Sequence, residues 1–138
     1  MRIVFADASY WIALLNPRDN LHTKAKTVSG ELGDIRLLTS EMVLAEFLND
    51  FGRRGSQLRE LAATWVRHLR TDPNTTIVTQ SSLLFQAGLA LYETRPDKEW
   101  GLTDCASFSI MREHGVSDAL TADSDFRQAG FSALLRDD

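Results

Sequence analysis

Cysteine is nearly absent. The one residue in 138, Cys105, rules out an internal disulfide and suits a reducing compartment. Long apolar runs are missing as well. The most hydrophobic stretch, Ile3 to Leu15 (IVFADASYWIALL), is interrupted by Asp7 and Ser9 and falls short of the ~18 or more residues of a membrane span. The opening MRIVFADA lacks the basic region and small-residue cleavage pattern of a signal peptide. The expectation is a cytoplasmic protein with no membrane partner. Repeats, low-complexity tracts and long linkers are missing too, so one domain over residues 1–138 is expected. The three histidines, His22, His68 and His114, lie far apart without zinc-ligand spacing. Nor is there an excess of positive charge. A net charge of −4 and a pI near 5.3 argue against a protein that coats nucleic acid through bulk charge.

What is present is the composition of an ordinary globular chain, 43% apolar and 25% charged. The charge is uneven. Arg53, Arg54, Arg59, Arg67 and Arg70 face a single acid, Glu60, between Gly52 and Arg70. A solvated helix face accounts for such a run. An RNA-facing or partner-facing patch that includes Arg53 and Arg54 is the functional alternative.

Strand and helix patterns alternate along the chain. RIVFA (Arg2–Ala6) is a short β-prone run that suits a buried strand. Ser9 is placed to cap a helix through Leu15, which Asn16-Pro17 stops. A polar helix is expected from about His22 to Val28, closed by Gly30 and Gly33. A strand follows at Ile35–Thr39, and Ser40 caps a helix from Glu41 to Phe51. Leu58, Leu61, Ala62, Trp65 and Leu69 fall on one face of a further helix. A brief strand at Thr76–Thr79, a helix from Ser81 or Ser82 to about Tyr92, and a helix over Asp104–His114 capped by Thr103 come next. A strand at Ala119–Thr121, a short helix at Ser124–Ala129 and a last strand at Phe131–Leu135 complete the pattern. This alternation implies an α/β fold, a mostly parallel sheet covered by helices on both faces. Trp11 and Trp65 read as core, Cys105 as a buried thiol, and Trp100 as core or a substrate contact.

The one charge in IVFADASYWIALL is Asp7, and a carboxylate is costly to bury unpaired. In a parallel sheet, function gathers at the C-terminal ends of the strands. Asp7 directly follows the first strand, Asp123 follows ALT in ALTAD, and Asp104 opens a helix in GLTDCASF. Each sits at a helix N-terminus, which tolerates an anion. Glu46 lies at the edge of the apolar face of its helix, a position that suits an inward carboxylate or a surface glutamate equally. Two carboxylates about 4 Å apart repel by roughly 4 kcal/mol at an effective dielectric near 20. Several together protonate or splay unless a cation holds them. Oxygen ligands without His or Cys point to Mg²⁺ or Mn²⁺. Phosphodiester hydrolysis is the natural reaction class.

With these residues assembled, the chain resembles the PIN-domain ribonucleases, and in particular the VapC toxins of bacterial type II toxin–antitoxin modules. FADASYW, TSEMVLAEFLN, DKEWGLTDCASFSIM and ALTADSDF followed by AGF carry the resemblance, in order and over nearly the whole chain. The resemblance implies a PIN-like fold with a five-stranded sheet. It makes Asp7 and Asp104 metal ligands, with Asp123 completing the Mg²⁺ or Mn²⁺ site directly or through water. Glu46 matches the acid that orients or deprotonates the attacking water, and Ser9 and Thr103 match supporting hydroxyls. Relatives often carry His two residues after the fourth acid, where this chain has Asp125. That extra acid can join the metal site, weaken backbone affinity or face solvent. The implied activity is endoribonuclease cleavage of RNA by metal-activated water, neutralised by a VapB-type antitoxin, in a homodimer. The helices from Glu41 to Arg70 are the expected antitoxin-facing and dimer-adjacent region.

Two other classes compete. A non-catalytic PIN-like module that binds RNA or protein needs no dense carboxylate cluster. A phosphoryl-transfer or receiver-type domain wants a second Asp two residues after the first, where Ser9 stands, or an acidic pair with a placed Lys.

Overall fold

The structure, a computed structural model, describes residues 1–137. Five strands pair in parallel: β1 (Arg2–Ala6), β2 (Ile35–Ser40), β3 (Thr75–Val78), β4 (Asp118–Leu120) and β5 (Ser132–Ala133). Their order across the sheet is β3-β2-β1-β4-β5. Seven helices connect or cover them: α1 (Ala8–Leu15), α2 (His22–Leu32), α3 (Glu41–Phe51), α4 (Ser56–Thr71), α5 (Ser82–Thr94), α6 (Leu102–His114) and α7 (Ser124–Gln128).

Handedness distributes the helices. The steps β1 to β2 to β3 run one way across the sheet, and right-handed crossovers put α1 to α4 on one face. The return from β3 to β4 and the step to β5 run the other way, placing α5 to α7 on the opposite face. Packing largely follows this division: α1 meets α2 and α3, α3 meets α4, α5 meets α6, and α6 meets α7, while α3 and α6 also meet across it. The direction reverses between β1 and β4, which leaves a crevice at their C-terminal ends.

Coverage from both sides explains why β1 is apolar at Val4, Phe5 and Ala6, all fully buried. On one face the rings of Phe5, Phe126 and Phe108 stack in series, with centroids 6.2 Å and then 4.9 Å apart. That chain of rings clamps α6 and α7 to the central strand. Trp11, Phe47 and Phe51 fill the other face, and Trp65 packs edge-on to Trp11 at 5.9 Å. Each large side chain so buried contributes on the order of 1.5–3 kcal/mol. Gly88 of α5 faces Ala106 of α6 so closely that an added Cβ would stand 3.2 Å from the Ala106 backbone nitrogen.

Several boundaries differ from the sequence reading, and four of the differences have a visible cause. Helix α2 runs through Gly30 and stops only at Gly33, whose φ of 64° breaks the helical path. Helix α1 starts at Ala8 with Asp7 as its capping position, so Ser9 lies inside the first turn. Helix α6 starts at Leu102 behind Gly101, which puts Thr103 within the turn rather than at its cap. The last strand shrinks to Ser132–Ala133 because it pairs only with the short β4.

Candidate metal centre

Asp7 emerges from β1 beside the end of β4: Ala6 pairs with Leu120, and the Asp7 N–H donates to the Leu120 carbonyl at 3.1 Å. Its residue is 6% exposed. Two hydroxyls hold Oδ2, Thr121 Oγ1 at 2.9 Å and Ser9 Oγ at 3.2 Å, both donating. Each hydroxyl also accepts from the backbone: Ser9 from the Ala122 N–H at 3.2 Å, and Thr121 from the Asp123 N–H at 3.1 Å. The bend after β4 is thereby tied to the bend after β1. Burial raises the pKa of Asp7 above the ordinary carboxylate value, against the lowering effect of these hydroxyls, and the charge of Asp123 adds to the rise.

Asp123 caps α7, accepting the Asp125 N–H on Oδ1 at 2.9 Å. Asp104 lies in the first turn of α6, and its Oδ2 accepts from the Gly101 N–H at 3.4 Å. One carboxylate oxygen from each of Asp104, Asp123 and Asp125 lies within 4.8 Å of the other two. The half-buried Asp104 is pushed up to about 7, first by burial and then by the charges of Asp7, Asp123 and Asp125, despite the Gly101 bond. Asp125 is raised too, by burial, Asp123 and Glu99, with Lys98 opposing.

Glu46 stands at the rim on α3 and is exposed as a residue. Burial of its carboxylate is the main cause of its raised pKa, with the charges of Asp7 and Asp123 adding and the Thr103 hydroxyl opposing. Glu46 thus feels Asp7 and Asp123, and Asp104 feels Asp7, Asp123 and Asp125, so the four acids of the sequence pattern share one neighbourhood that Asp125 joins. The supporting hydroxyls divide: Ser9 serves Asp7, and Thr103 serves Glu46. Arg53 and Arg54 are not part of this cluster. Arg54 pairs with Asp50 through two bonds of 2.8 and 3.1 Å, and Arg53 Nε donates to the Asn49 carbonyl at 3.3 Å.

Sequence reasoning passed over Thr121, fully buried and bonded to Asp7. Its signal was a hydroxyl two residues before Asp123 at a strand end. The residues it joins lie 114 positions apart, and no local pattern exposes that contact.

The PIN domain family model matches residues 4–132. The chain belongs to the PIN domain family. Among curated PIN relatives, the 23S rRNA-specific endonuclease VapC20 of Mycobacterium tuberculosis is 33% identical over 129 residues, covering 94% of this chain and 95% of the relative. The same identity and coverage hold for the protein from strain H37Rv. The crystal structure of Mycobacterium tuberculosis VapC20, described as a sarcin–ricin loop cleaving toxin, superposes with a TM-score of 0.83 at 29% identity. The overlap covers 93% of this chain and 95% of that one. The fold expected from the sequence, a PIN-like parallel sheet of five strands between helices, is the fold found.

The donor set of this PIN domain fits a hard divalent cation. The carboxylates offer only oxygen, they are close enough to repel, and no His or Cys belongs to the group of three. A cation at these carboxylates would offset the repulsion that adds to burial in raising the Asp104 pKa.

Proposed function

We propose that this chain acts as a single catalytic domain over residues 1–138, a VapC-like endoribonuclease that hydrolyses RNA phosphodiester bonds with the help of Mg²⁺ or Mn²⁺. The observation that carries the reading is the convergence of five carboxyl groups, Asp7, Glu46, Asp104, Asp123 and Asp125, at the crevice between β1 and β4. A module that only binds RNA gains nothing from gathering negative charge where the phosphates must come.

Asp7, Asp104 and Asp123 would hold the cation, and Asp125, whose carboxylate lies with those of Asp104 and Asp123, would join them. A bound divalent cation supplies charge neutralisation for the phosphate and a lowered pKa for water. The chain's own residues do the rest. Ser9 and Thr121 fix Asp7 Oδ2, so that carboxylate does not swing when its neighbours change charge. Glu46, whose pKa is raised by burial and by nearby acids, is the proton acceptor for the attacking water. Thr103 orients the Glu46 carboxylate through its hydroxyl.

The likeness to VapC20, named for 23S rRNA, makes ribosomal RNA the first substrate to test. A VapB-type antitoxin and a homodimeric state are proposed with it, as the resemblance to VapC toxins implies. A cytoplasmic setting belongs to the same proposal; among the described residues no helix is long and apolar enough to cross a membrane. The decisive experiment sequences RNA ends after brief expression of wild type and Asp7→Asn protein. New 5′ ends are expected with the wild type only, and the purified protein should lose cleavage in EDTA. Asp7→Asn protein that cuts at the wild-type rate would overturn the assignment.

A further inference from the structure

Gly101 and Cys105, on either side of Asp104, also line a second cleft of ≈ 520 Å³ with Tyr92, Lys98 and Trp100. The cleft and the acid cluster share a wall. The Gly101 N–H bonds Asp104, and Lys98 and Glu99 lie close enough to Asp125 to influence its charge. Trp100 is a fixed part of that wall. Its N–H donates to Gln128 Oε1 at 3.2 Å, Phe108 packs edge-on at 5.0 Å, and the residue is 4% exposed. The Arg95 guanidinium lies over its ring at 5.2 Å and the Lys98 ammonium at 5.9 Å.

Tyr92 is different. It is 52% exposed, and among the described residues its ring and hydroxyl have no hydrogen-bond or ring partner. The charges lining the cleft balance, Arg95 and Lys98 against Glu93 and Glu99. Arg95 is further occupied by Asp97 through bonds of 3.0 and 2.9 Å. A balanced cleft with an unpartnered aromatic ring does not select a phosphate. It suits a flat, uncharged ring with polar edges, and its wall at Gly101, Lys98 and Glu99 borders the acids where an RNA phosphate would sit.

We infer that this cleft receives the nucleobase flanking the scissile phosphate, stacked on Tyr92. The inference rests on the nuclease reading above and deepens it: Tyr92 is a substrate-contacting residue, and the cut falls where a base is free to leave its helical stack. Loops and single strands offer such bases.

The test uses the full chain with Mn²⁺ and a short RNA containing the mapped cleavage site. Two companion RNAs lack the base immediately 5′ or 3′ of the cut. For wild-type protein, kcat/KM is expected to fall about tenfold on one of the two companions. Tyr92→Ala is expected to lose a similar factor on intact RNA and nothing more on that same companion, while Tyr92→Phe retains wild-type cleavage. The melting temperature of Tyr92→Ala should match the wild type, because the side chain is largely exposed. Wild-type kcat/KM for Tyr92→Ala on intact RNA would overturn the inference, as would two losses that multiply. Wild-type protein that cuts no RNA would overturn the nuclease reading itself, and the inference with it.

Discussion

Thr121 Oγ1 donates to Asp7 Oδ2 at 2.9 Å, joining the end of β4 to the end of β1 through two buried side chains. This bond accounts for the carboxylate within IVFADASYWIALL. Asp7 is buried, but it is hydrogen-bonded and lies at the crevice where the sheet changes direction. Thr121→Val keeps the shape and removes the donor. A loss of about 1–3 kcal/mol is expected in denaturant unfolding at pH 7, with Thr121→Ser restoring most of it. Equal stability of the valine and serine variants would show that the bond contributes nothing.

Stability should depend on pH through Asp104. Its carboxyl titrates near 3.8 when unperturbed and at about 7 in the fold. The folded protein therefore keeps a proton that the unfolded chain has released across that window. The resulting stabilisation is complete below about pH 4 and lost as pH rises through about 7, with a slope of at most about 1.4 kcal/mol per pH unit from this group. Metal-free protein should melt at a lower temperature at pH 7.5 than at pH 5. Asp104→Asn should flatten that difference, as thermal scans in EDTA would reveal.

Asp125 stands where relatives often carry histidine, and its carboxylate lies with those of Asp104 and Asp123. Asp125→Asn should weaken Mn²⁺ binding by at least about tenfold, read by titration calorimetry. Unchanged affinity would remove Asp125 from the metal-holding set and leave it a bystander.

Glu46→Gln preserves the size of the side chain and its contact with Thr103 but cannot take up a proton at neutral pH. A fall in kcat of roughly 10²- to 10⁴-fold is expected with Mn²⁺ affinity retained. A kcat within a factor of two of wild type would exclude Glu46 as the proton acceptor.

Gly88→Leu tests the packing that carries Asp104. A Cβ there would meet the Ala106 backbone nitrogen at 3.2 Å and the Leu102 Cδ1 at 3.3 Å, so α5 and α6 must separate. Destabilisation of about 1–3 kcal/mol is expected from overpacking, measurable by chemical unfolding.

The sequence revealed the elements whose signals are local. Ser40 caps α3 as its position suggested, accepting the Val43 N–H, and the apolar face of α4 was visible in its spacing. The acids were legible because strand-to-helix junctions place them on one edge, and the family resemblance ordered their roles. What stayed hidden depends on residues far apart in the chain. Thr121 reaches Asp7 only because β4 pairs with β1. Thr103 looked like a helix cap because hydroxyls favour that position, yet Gly101 takes it and Thr103 falls inside the first turn, where its hydroxyl lowers the pKa of Glu46. Asp125 had three possible fates in sequence, and the cap that Asp123 provides for α7 fixes which neighbours it meets.

The pairing of β1 with β4 also sets a clock. The first acid of the centre precedes the hydroxyl that anchors it by 114 positions, so it is made well before its partner. A growing polypeptide lacking Leu120 and Thr121 has no partner for the Asp7 N–H and no Thr121 hydroxyl for its carboxylate. Closing so long a loop is among the slower events of folding. The acid cluster is therefore assembled only after β4 has been made and has paired with β1.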